Sequence, residues 1–513
     1  MNRIRLWPLV LVAIIGLGLI LRLKGIHDPL LDHPGWRQGD TAAIARNFAT
    51  LDLNPLHPQT DYDGAPPNYV ELELQIVPFL AALLYKLFGV HEIFGRLISL
   101  IFSLGTIGLV GYFARFLFQS SIAGLAAALA FAIMPGSIYY GRSFMPDTTM
   151  VFFLTAALYS CVRWMRAEPQ TELRALSAAA ALSATAILAK PVAIIALVPV
   201  AAMMIARFGI KDTLRRPQAW IFLIASIAPY ELYDAYLRSI AEWHWTSGIT
   251  SRHVLPSLAA TFTSTQALVA KWQAFLASLG MLRVTMLGEG AFWLSILSIF
   301  IPMPANARLL LFGWLGAGIA YVFVVMTVEP VDYYAYLFLP LAALWIGGAV
   351  AILSPRLPAV TWLRSTVSLA ALIAALAILQ SNRAAVASYY FWNPGTWSAA
   401  RALDKTLAPK TLIVMGHLDP SVLYYINRKG WEEDPRLWRS VDEESAIHKG
   451  ARYYVAIEPN RLARNPDLSE YLARFPVDNT GRWPVYNTDP AKLIPTADAR
   501  WHMDHPRLHK SLK

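Results

Sequence analysis

Two aspartates and several basic residues stand in short polar segments between long apolar runs. Asp40 lies in the segment 35–41, and Asp147 follows Arg142 in a second segment. A carboxylate within hydrogen-bond reach can take a proton from a hydroxyl group, and fixed cations such as Arg142 and Lys190 can stabilise a phosphate that gains negative charge. The simpler alternatives are that each aspartate caps a helix and that each cation reaches from a helix end to the membrane surface.

The elements that must position these residues are membrane helices. Of 513 residues, 56% are hydrophobic and only 15% are charged, and the mean hydropathy of +0.42 is too high for a soluble globular chain. A span needs about 20 apolar residues, or somewhat fewer with polar ends. This rule predicts a polytopic α-helical membrane protein with about eleven spans. They are Trp7–Leu23, Leu97–Phe113, Ile122–Tyr140, Thr148–Val162, Ala175–Leu188, Val192–Ile205, Trp220–Leu237, Phe292–Ile301, Leu309–Val328, Tyr334–Leu353 and Leu363–Leu379.

The net charge of +10 comes largely from short loops between these spans. Membrane topology explains this excess better than a nucleic-acid partner, because short basic loops collect on the cytoplasmic side. The loop residues concerned are Arg115, Arg163, Arg166, Arg174, Arg207, Lys211, Arg215, Arg216, Arg308 and Arg356. The pattern places the N-terminus in the cytoplasm and the C-terminal part outside a bacterial inner membrane. It also requires two crossings between residues 175 and 205, with an outer turn at Lys190-Pro191.

A change in composition near residue 380 predicts two domains. Residues 1–380 form the membrane domain, with a first outer loop at 24–96 and a large outer loop at 239–290. Residues 381–513 form a small extracytoplasmic α/β domain, with strands expected at 411–415 and 453–457. Two outer segments, 41–51 and 76–88, are predicted to be interfacial helices because they are apolar on one face and too short to span.

The predicted topology brings acids and bases from several separate outer loops to one face of the membrane. These residues are Asp40, Arg142, Asp147, Lys190, Asp332 and Tyr333. Ionisable groups gathered at one membrane face are a candidate functional site.

Several of these segments resemble family 39 of the GT-C glycosyltransferases, which includes protein O-mannosyltransferases and the lipid A aminoarabinose transferase. The resemblance rests on the acidic first loop, on Arg142 through Asp147, on Leu188-Ala189-Lys190-Pro191 and on Val331-Asp332-Tyr333-Tyr334. It implies a GT-C fold and inverting transfer of a sugar from a polyprenyl-phosphate donor to a lipid, glycan or protein of the cell envelope. Carried over by position, Asp40 is the expected general base and Asp147 the assisting acid.

On this interpretation, cations of the outer loops bind the phosphate of the donor. The candidates are Arg142, Lys190, Arg37, Arg252 and His253. Substrate contacts are expected from Glu71, Glu73, His244, Asp332, Tyr333 and Tyr334. The segment 239–290, rich in Trp and His, is either an aromatic belt at the interface or a flexible loop that closes over the lipid donor and excludes water.

The sequence lacks a Gly-rich phosphate loop, a nucleotide fingerprint and a Cys/His metal pattern, which argues against a nucleotide-sugar donor. No cofactor is required and no metal ligands are assigned, although Asp40 and Asp147 could share a divalent metal. A transporter or flippase of polyprenyl-linked substrates is one alternative, but it would place ionisable groups at mid-membrane and show an internal repeat. An O-antigen ligase or polymerase is another, since it uses the same class of donor.

Overall fold

Apolar helices dominate the chain up to residue 385. The computed structural model describes residues 3–356 and 361–504. The helices before residue 241 are α1 (Arg3–Arg22), α2 (Gly35–Thr50), α3 (Ile76–Phe88), α4 (Ile93–Phe118), α5 (Ser121–Ile133), α6 (Pro135–Tyr140), α7 (Asp147–Met165), α8 (Pro169–Ala189), α9 (Leu197–Phe208), α10 (Ile210–Arg215) and α11 (Pro217–Ile240). They are followed by α12 (Thr246–Ile249), α13 (Leu255–Thr261), α14 (Thr265–Met281), α15 (Glu289–Ile299), α16 (Ala305–Tyr321), α17 (Phe338–Leu353) and α18 (Thr361–Ala385).

The described residues contain six helical segments that are long and apolar enough to cross a membrane, or up to eight if each of two bent helix pairs counts as one span. The chain is therefore a multi-pass membrane protein. The predicted span 122–140 is interrupted, since α5 ends at Ile133 and Pro135 begins α6. Proline is favoured at the start of a helix, where no N–H is needed. The predicted span 292–301 belongs to a pair bent by 111°. The count of eleven spans stays a prediction.

The C-terminal part of the chain contains a five-stranded mixed sheet. Its strands lie in the order β4 (Lys429–Glu432), β3 (Leu412–Met415), β5 (Ala451–Val455), β7 (Val485–Asn487) and β6 (Val477–Asp478). Strands β4, β3 and β5 are parallel, and β7 is antiparallel to both β5 and β6. Ile413, Val414 and Met415 of β3 are fully buried because helices cover both faces of the parallel strands. The elements are α19 (Pro394–Thr406), β3 (Leu412–Met415), α20 (Pro420–Ile426), β4 (Lys429–Glu432), α21 (Ser440–His448), β5 (Ala451–Val455), α22 (Pro459–Leu462), α23 (Pro466–Leu472), β6 (Val477–Asp478), β7 (Val485–Asn487) and α24 (Pro495–Asp504).

Helix α2 is buried on nearly all sides, so the prediction of an amphipathic helix lying on the membrane at 41–51 is wrong. Twelve of its 16 residues are buried. It packs between α3, from the same outer loop, and α20, from the C-terminal part. The polar residues that looked solvent-facing in the sequence are covered by a segment nearly 400 positions away. By contrast, α3 exposes Leu83, Leu87 and Phe88 on one side and buries the other, the pattern of a helix at an apolar surface.

The segment 239–290 is mainly helical. After β2 (Trp243–His244) come α12, a π-helical turn at 250–254, and helices α13 and α14. Strand β2 pairs in parallel with β1 (Val70–Glu71) of the first outer loop. Of the two interpretations of this segment, an aromatic belt or a flexible loop over the donor, the second has to account for helices and a fixed strand pairing.

The outer face can be tested with single cysteines in a Cys161→Ala background, since the only cysteine is buried. We expect cysteines at the exposed positions Ala65, Ser251 and Lys405 to react with a membrane-impermeant thiol reagent in outer-permeabilised cells. A cysteine at the exposed Arg215 should react only after the inner membrane is opened. Labelling of position 215 before position 251 would reverse the predicted orientation.

Candidate functional site

The carboxylate of Asp40 is buried inside helix α2 and does not cap it. The N-cap of α2 is Pro34, six residues earlier. Asp40 is only 4% exposed, and its Oδ1 has no hydrogen-bond partner among the described residues. Its Oδ2 lies 4.0 Å from Nη1 of Arg37, one helical turn away. A buried polar atom without a partner is costly for folding, and this makes Asp40 a candidate for a functional role.

Close contact between two backbones holds Asp40 in this position. A Cβ atom on Gly39 would lie 2.4 Å from Cα of Ser421. Only glycine therefore lets α2 meet the start of α20. Asp419 caps α20 by accepting hydrogen bonds from the backbone N–H (2.9 Å) and hydroxyl (2.5 Å) of Ser421. The C-terminal part of the chain thus forms one wall around Asp40.

The electrostatic surroundings raise the pKa of Asp40 to about 7. Burial is the largest cause, the Arg37 guanidinium and the Tyr62 hydroxyl oppose it, and the charges of Asp419 and Asp61 add to it. Other acids nearby are shifted the same way. Burial and neighbouring acids raise the pKa of Asp63 and of Glu433 to about 7, and burial with the charge of Asp40 raises that of Glu432 well above its usual range. A carboxyl group with a pKa near neutrality is suited to general base catalysis.

A second group of side chains lies at the ends of α7 and α8. Asp147 begins α7, and Lys190 follows the last residue of α8. The Lys190 ammonium donates to Asp147 Oδ1 at 2.6 Å, while Asp147 Oδ2 has no partner among the described residues. The ammonium also lies 4.9 and 4.6 Å from the ring centres of Tyr333 and Tyr334. Lys190 is therefore already neutralised by an acid that is 43 positions away in sequence.

Arg37 joins the two groups. Its guanidinium forms a salt bridge with Glu73 and faces Asp40. Burial lowers its pKa, but the charges of Glu73, Asp40, Tyr333 and Asp147 outweigh this and raise the pKa above its ordinary value. The predicted residues Arg37, Asp40, Glu73, Asp147, Lys190, Tyr333 and Tyr334 are thus brought together, and we call them the central group.

Arg142 is not part of the central group, although phosphate binding was predicted for it. Its guanidinium is fully buried and donates to Asp32 at 2.7 Å. Arg96 and the side-chain amide of Gln38 also donate to Asp32, at 2.9 and 2.8 Å. With its charge neutralised and no surface open, Arg142 fastens the first outer loop instead of facing a ligand. Its role in phosphate binding does not fit this geometry.

The carboxylate of Asp332 is also engaged by hydrogen bonds from other parts of the chain. It accepts hydrogen bonds from the hydroxyls of Tyr140 and Tyr389, at 2.6 and 2.5 Å, and from the backbone N–H of Tyr333 at 2.9 Å. His33 lies 3.4 Å away. These contacts join four segments of the chain and engage both carboxylate oxygens, so Asp332 positions its neighbour Tyr333. The substrate-binding role expected for Asp332 therefore does not fit.

The remaining predicted residues are Glu71 on β1 and three residues on the segment that follows α11, namely His244, Arg252 and His253. Glu71 accepts from the backbone N–H and the hydroxyl of Ser247, at 2.9 and 2.8 Å, and lies 3.7 Å from His244. Glu71 and His244 therefore join the segment 243–247 to the first outer loop. His253 pairs with Glu329 at 2.5 Å, and Arg252 is exposed. No contact connects Arg252 or His253 with the central group among the residues that the structure describes.

Some residues that contribute to the site could not be singled out from the sequence. Tyr62 and Glu432 interact electrostatically with the Asp40 carboxylate, but Tyr62 is an ordinary loop tyrosine and Glu432 is the last residue of the short strand β4. Asp32 was one of several acids in the first loop, and nothing in the pattern marks it as the partner of two arginines. Within the described ranges, no three His, Cys, Asp or Glu side chains are grouped in a way that could hold a metal ion.

Comparison with known proteins agrees with this architecture. Residues 75–230 match the family model of the dolichyl-phosphate-mannose-protein mannosyltransferases. The structure is similar to ArnT from Cupriavidus metallidurans bound to undecaprenyl phosphate, with a TM-score of 0.59 and 15% identity over 92% of this chain and 97% of that chain. The chain has the GT-C fold. The resemblance to GT-C enzymes seen in the sequence motifs is therefore confirmed.

The same GT-C fold appears in a larger relative. The archaeal oligosaccharyltransferase AglB from Archaeoglobus fulgidus, in complex with an inhibitory peptide and a dolichol-phosphate, has a TM-score of 0.59 and 14% identity, over 94% of this chain and 74% of that chain. The apo state of the Cupriavidus ArnT gives a TM-score of 0.59 at 16% identity, over 92% of this chain and 96% of that chain. No curated protein sequence matches the chain.

Proposed function

We propose that this GT-C protein is a membrane glycosyltransferase that moves a sugar from a polyprenyl-phosphate donor to an acceptor of the cell envelope, at the outer face and with inversion. The observation that carries the proposal is the unpartnered, buried Oδ1 of Asp40, in a carboxylate whose other oxygen faces the Arg37 guanidinium. The matched family model, that of the dolichyl-phosphate-mannose-protein mannosyltransferases, supports the donor class. So do the undecaprenyl phosphate and dolichol-phosphate bound to ArnT and AglB.

Asp40 has the properties required of the general base. A sugar or protein hydroxyl is a weak nucleophile, so its proton must leave as its oxygen attacks the anomeric carbon. Oδ1 of Asp40 is free to accept that proton, and Arg37 at 4.0 Å holds the carboxylate without occupying Oδ1. The acceptor oxygen forms the new bond to the anomeric carbon, and the bond from that carbon to the phosphate oxygen breaks on the opposite face. The polyprenyl phosphate leaves with the electron pair.

Lys190 and Arg37 are the proposed partners of the phosphate, in place of Arg142. The leaving phosphate gains negative charge, and preorganised cations in a dry site stabilise that charge. The Lys190 side chain is 11% exposed and is held by one oxygen of Asp147. We assign Asp147 an assisting role, because it holds the ammonium in place until a phosphate oxygen shares it. Tyr333 and Tyr334 form the aromatic wall against the ammonium.

The donor class can be tested directly with purified full-length protein. Binding of an undecaprenyl-phosphate sugar should be saturable, and the matching nucleotide sugar should not compete with it. Mass spectrometry of cellular glycolipids and lipopolysaccharide, with and without the gene, should then show which sugar is lost and from which acceptor. Binding of the nucleotide sugar alone, or movement of the intact donor across vesicles without transfer, would contradict the proposal.

We also expect a pH dependence from the raised pKa of Asp40. Because the protonated carboxyl cannot accept a proton, kcat/KM should rise with pH through about 7 and reach a plateau above it. Asp419→Asn keeps the cap on α20 but removes a negative charge that raises the Asp40 pKa. The rising limb of this variant should therefore move to lower pH. An unchanged profile in Asp419→Asn would assign the limb to another group.

A further inference from the structure

A basic cleft lies at the end of the α7–α8 hairpin that is remote from the central group. Helix α7 begins at Asp147 and ends at Met165, and α8 begins at Pro169 and ends beside Lys190. At 1.5 Å per residue, α7 is roughly 28 Å long, which matches the thickness of the hydrocarbon core of a bilayer. The hairpin therefore has the central group at one membrane face and this cleft at the other.

Three arginines converge on the cleft. Its cavity of about 690 Å³ is lined by Arg163, Arg166 and Arg174 together with the apolar residues Phe116, Ala175 and Ala178. Glu168 is the single acid among its lining residues. None of the three guanidinium groups forms an ion pair or a hydrogen bond with a side chain or backbone group of the described residues. The positive-inside rule accounts for arginines on this side of the membrane, but it does not require that they surround one cavity.

Aromatic rings orient two of these arginines without neutralising them. The guanidinium carbon of Arg166 lies 4.7 Å from the ring centre of Phe116, and that of Arg163 lies 5.9 Å from the ring centre of Tyr159. Stacked guanidinium groups keep their N–H donors free at the edge. Such a guanidinium group can donate two parallel N–H···O hydrogen bonds to the oxygens of one phosphate.

A second basic cavity continues the surface. It has a volume of about 220 Å³, shares Ala167 with the first cavity and is lined by Arg207 and Arg216. Arg216 lies 3.9 Å from the ring centre of Phe208. Exposed apolar side chains flank the same end of the helices, including Leu173 at 73% and Ile122 at 52% exposure. Cationic donors thus lie next to a surface that suits acyl chains.

We propose that this cleft binds the phosphate headgroup of an anionic membrane phospholipid. A phosphodiester at headgroup level would meet Arg163, Arg166 and Arg174, while its acyl chains lie along the exposed apolar helix surface. The proposed sugar donor is not the occupant, because its phosphate is assigned to Lys190 at the other end of the hairpin. The site is independent of the transfer reaction and would hold even if the proposed function were wrong.

The test is lipid binding to the full chain, purified in a neutral detergent and measured by native mass spectrometry with phosphatidylglycerol, cardiolipin and phosphatidylcholine. The triple variant Arg163→Gln, Arg166→Gln, Arg174→Gln should lose at least about tenfold in affinity for the two anionic lipids, because it removes the three basic groups that attract the phosphate. Weak binding of phosphatidylcholine should not change. Circular dichroism and thermal unfolding of both forms show whether the variant is folded.

A matched control removes three exposed basic residues that lie outside the cleft, in other short loops of the predicted cytoplasmic side. The variant Lys211→Gln, Arg308→Gln, Arg356→Gln has the same charge change and should bind anionic lipid within about twofold of the wild type. An equal loss in both variants would show that net charge alone attracts the lipid, which overturns the proposal. The proposal would also be overturned if inorganic phosphate raised the thermal unfolding temperature of the chain as much as the anionic lipids do. The ligand would then be the free anion.

Discussion

Asp40→Asn should abolish sugar transfer, with a loss of at least about a hundredfold in kcat, while donor binding stays near that of the wild type. Asparagine has the same shape as aspartate but cannot take a proton from the acceptor.

The Asp40→Asn change should not destabilise the fold. Burial raises the pKa of Asp40 from 3.8 to about 7, so the folded state is favoured by protonated Asp40, and this contribution is lost as the pH rises through 7. The variant should therefore unfold at an equal or higher temperature than the wild type at pH 8.

The control for this experiment is Asp52→Asn. Asp52 lies in the same outer loop, has a side chain that is 41% exposed and pairs with His57 at 2.5 Å. Asp52→Asn therefore makes the same change of charge at a position outside the central group. Transfer by Asp52→Asn should stay within about twofold of the wild type, as expected for an exposed pair. If Asp40→Asn also turned over at a near-normal rate, the proton acceptor would have to be a different group, and the buried carboxylate would need another explanation.

Lys190→Met should weaken binding of the polyprenyl-phosphate donor by about tenfold to a hundredfold, the range for losing a hydrogen bond to a charged group. Methionine keeps much of the stem length and removes the charge. The single change also leaves Asp147 buried without its partner at 2.6 Å, which is itself destabilising. The double variant Lys190→Met, Asp147→Asn removes both charges and should fold at least as well as the single variant. It should bind the donor as weakly as the single variant.

A second buried lysine provides the comparison. Lys271 is 6% exposed, and its ammonium donates to the hydroxyl of Ser257 at 3.1 Å. It lies in α14 and makes no contact with the central group within the described ranges. Lys271→Met should leave the donor affinity unchanged, as measured by titration of the labelled donor. Donor binding of wild-type strength in the double variant at Lys190 and Asp147 would remove Lys190 from the phosphate site.

The meeting of Asp40, Asp147 and Lys190 could be predicted because it follows from topology. Short basic loops fix one side of the membrane, so the acids and cations of the alternate loops must share the other. The sequence also indicated the break at Lys190-Pro191, because proline ends the preceding helix. The structure ends α8 at Ala189, directly before this pair.

The partners of buried charges could not be predicted in the same way. Arg142 pairs with Asp32, 110 positions away, and several other acids of the first loop were equally plausible on charge alone. The burial of α2 depends on α20, whose approach is set by the missing side chain of Gly39. The interruption between α5 and α6 was hidden because Ile133, Met134 and Pro135 continue an apolar run. Hydropathy reports the length of such a run but not its bends.

The contact between α2 and the C-terminal part also has a consequence for protein synthesis. The ribosome makes Asp40 early, yet Ser421 and the edge strand β4 are made only after all the helices up to α18. The backbone N–H of Gly64 donates to the carbonyl of Gly430 at 2.8 Å, and that of Gly430 to the carbonyl of Asp61 at 2.9 Å. A chain terminated by a premature stop codon before residue 420 would keep all helices through α18 but lack one wall around Asp40. Such a truncated product would insert in the membrane without a complete site, so nascent chains would acquire the site only when translation is nearly finished.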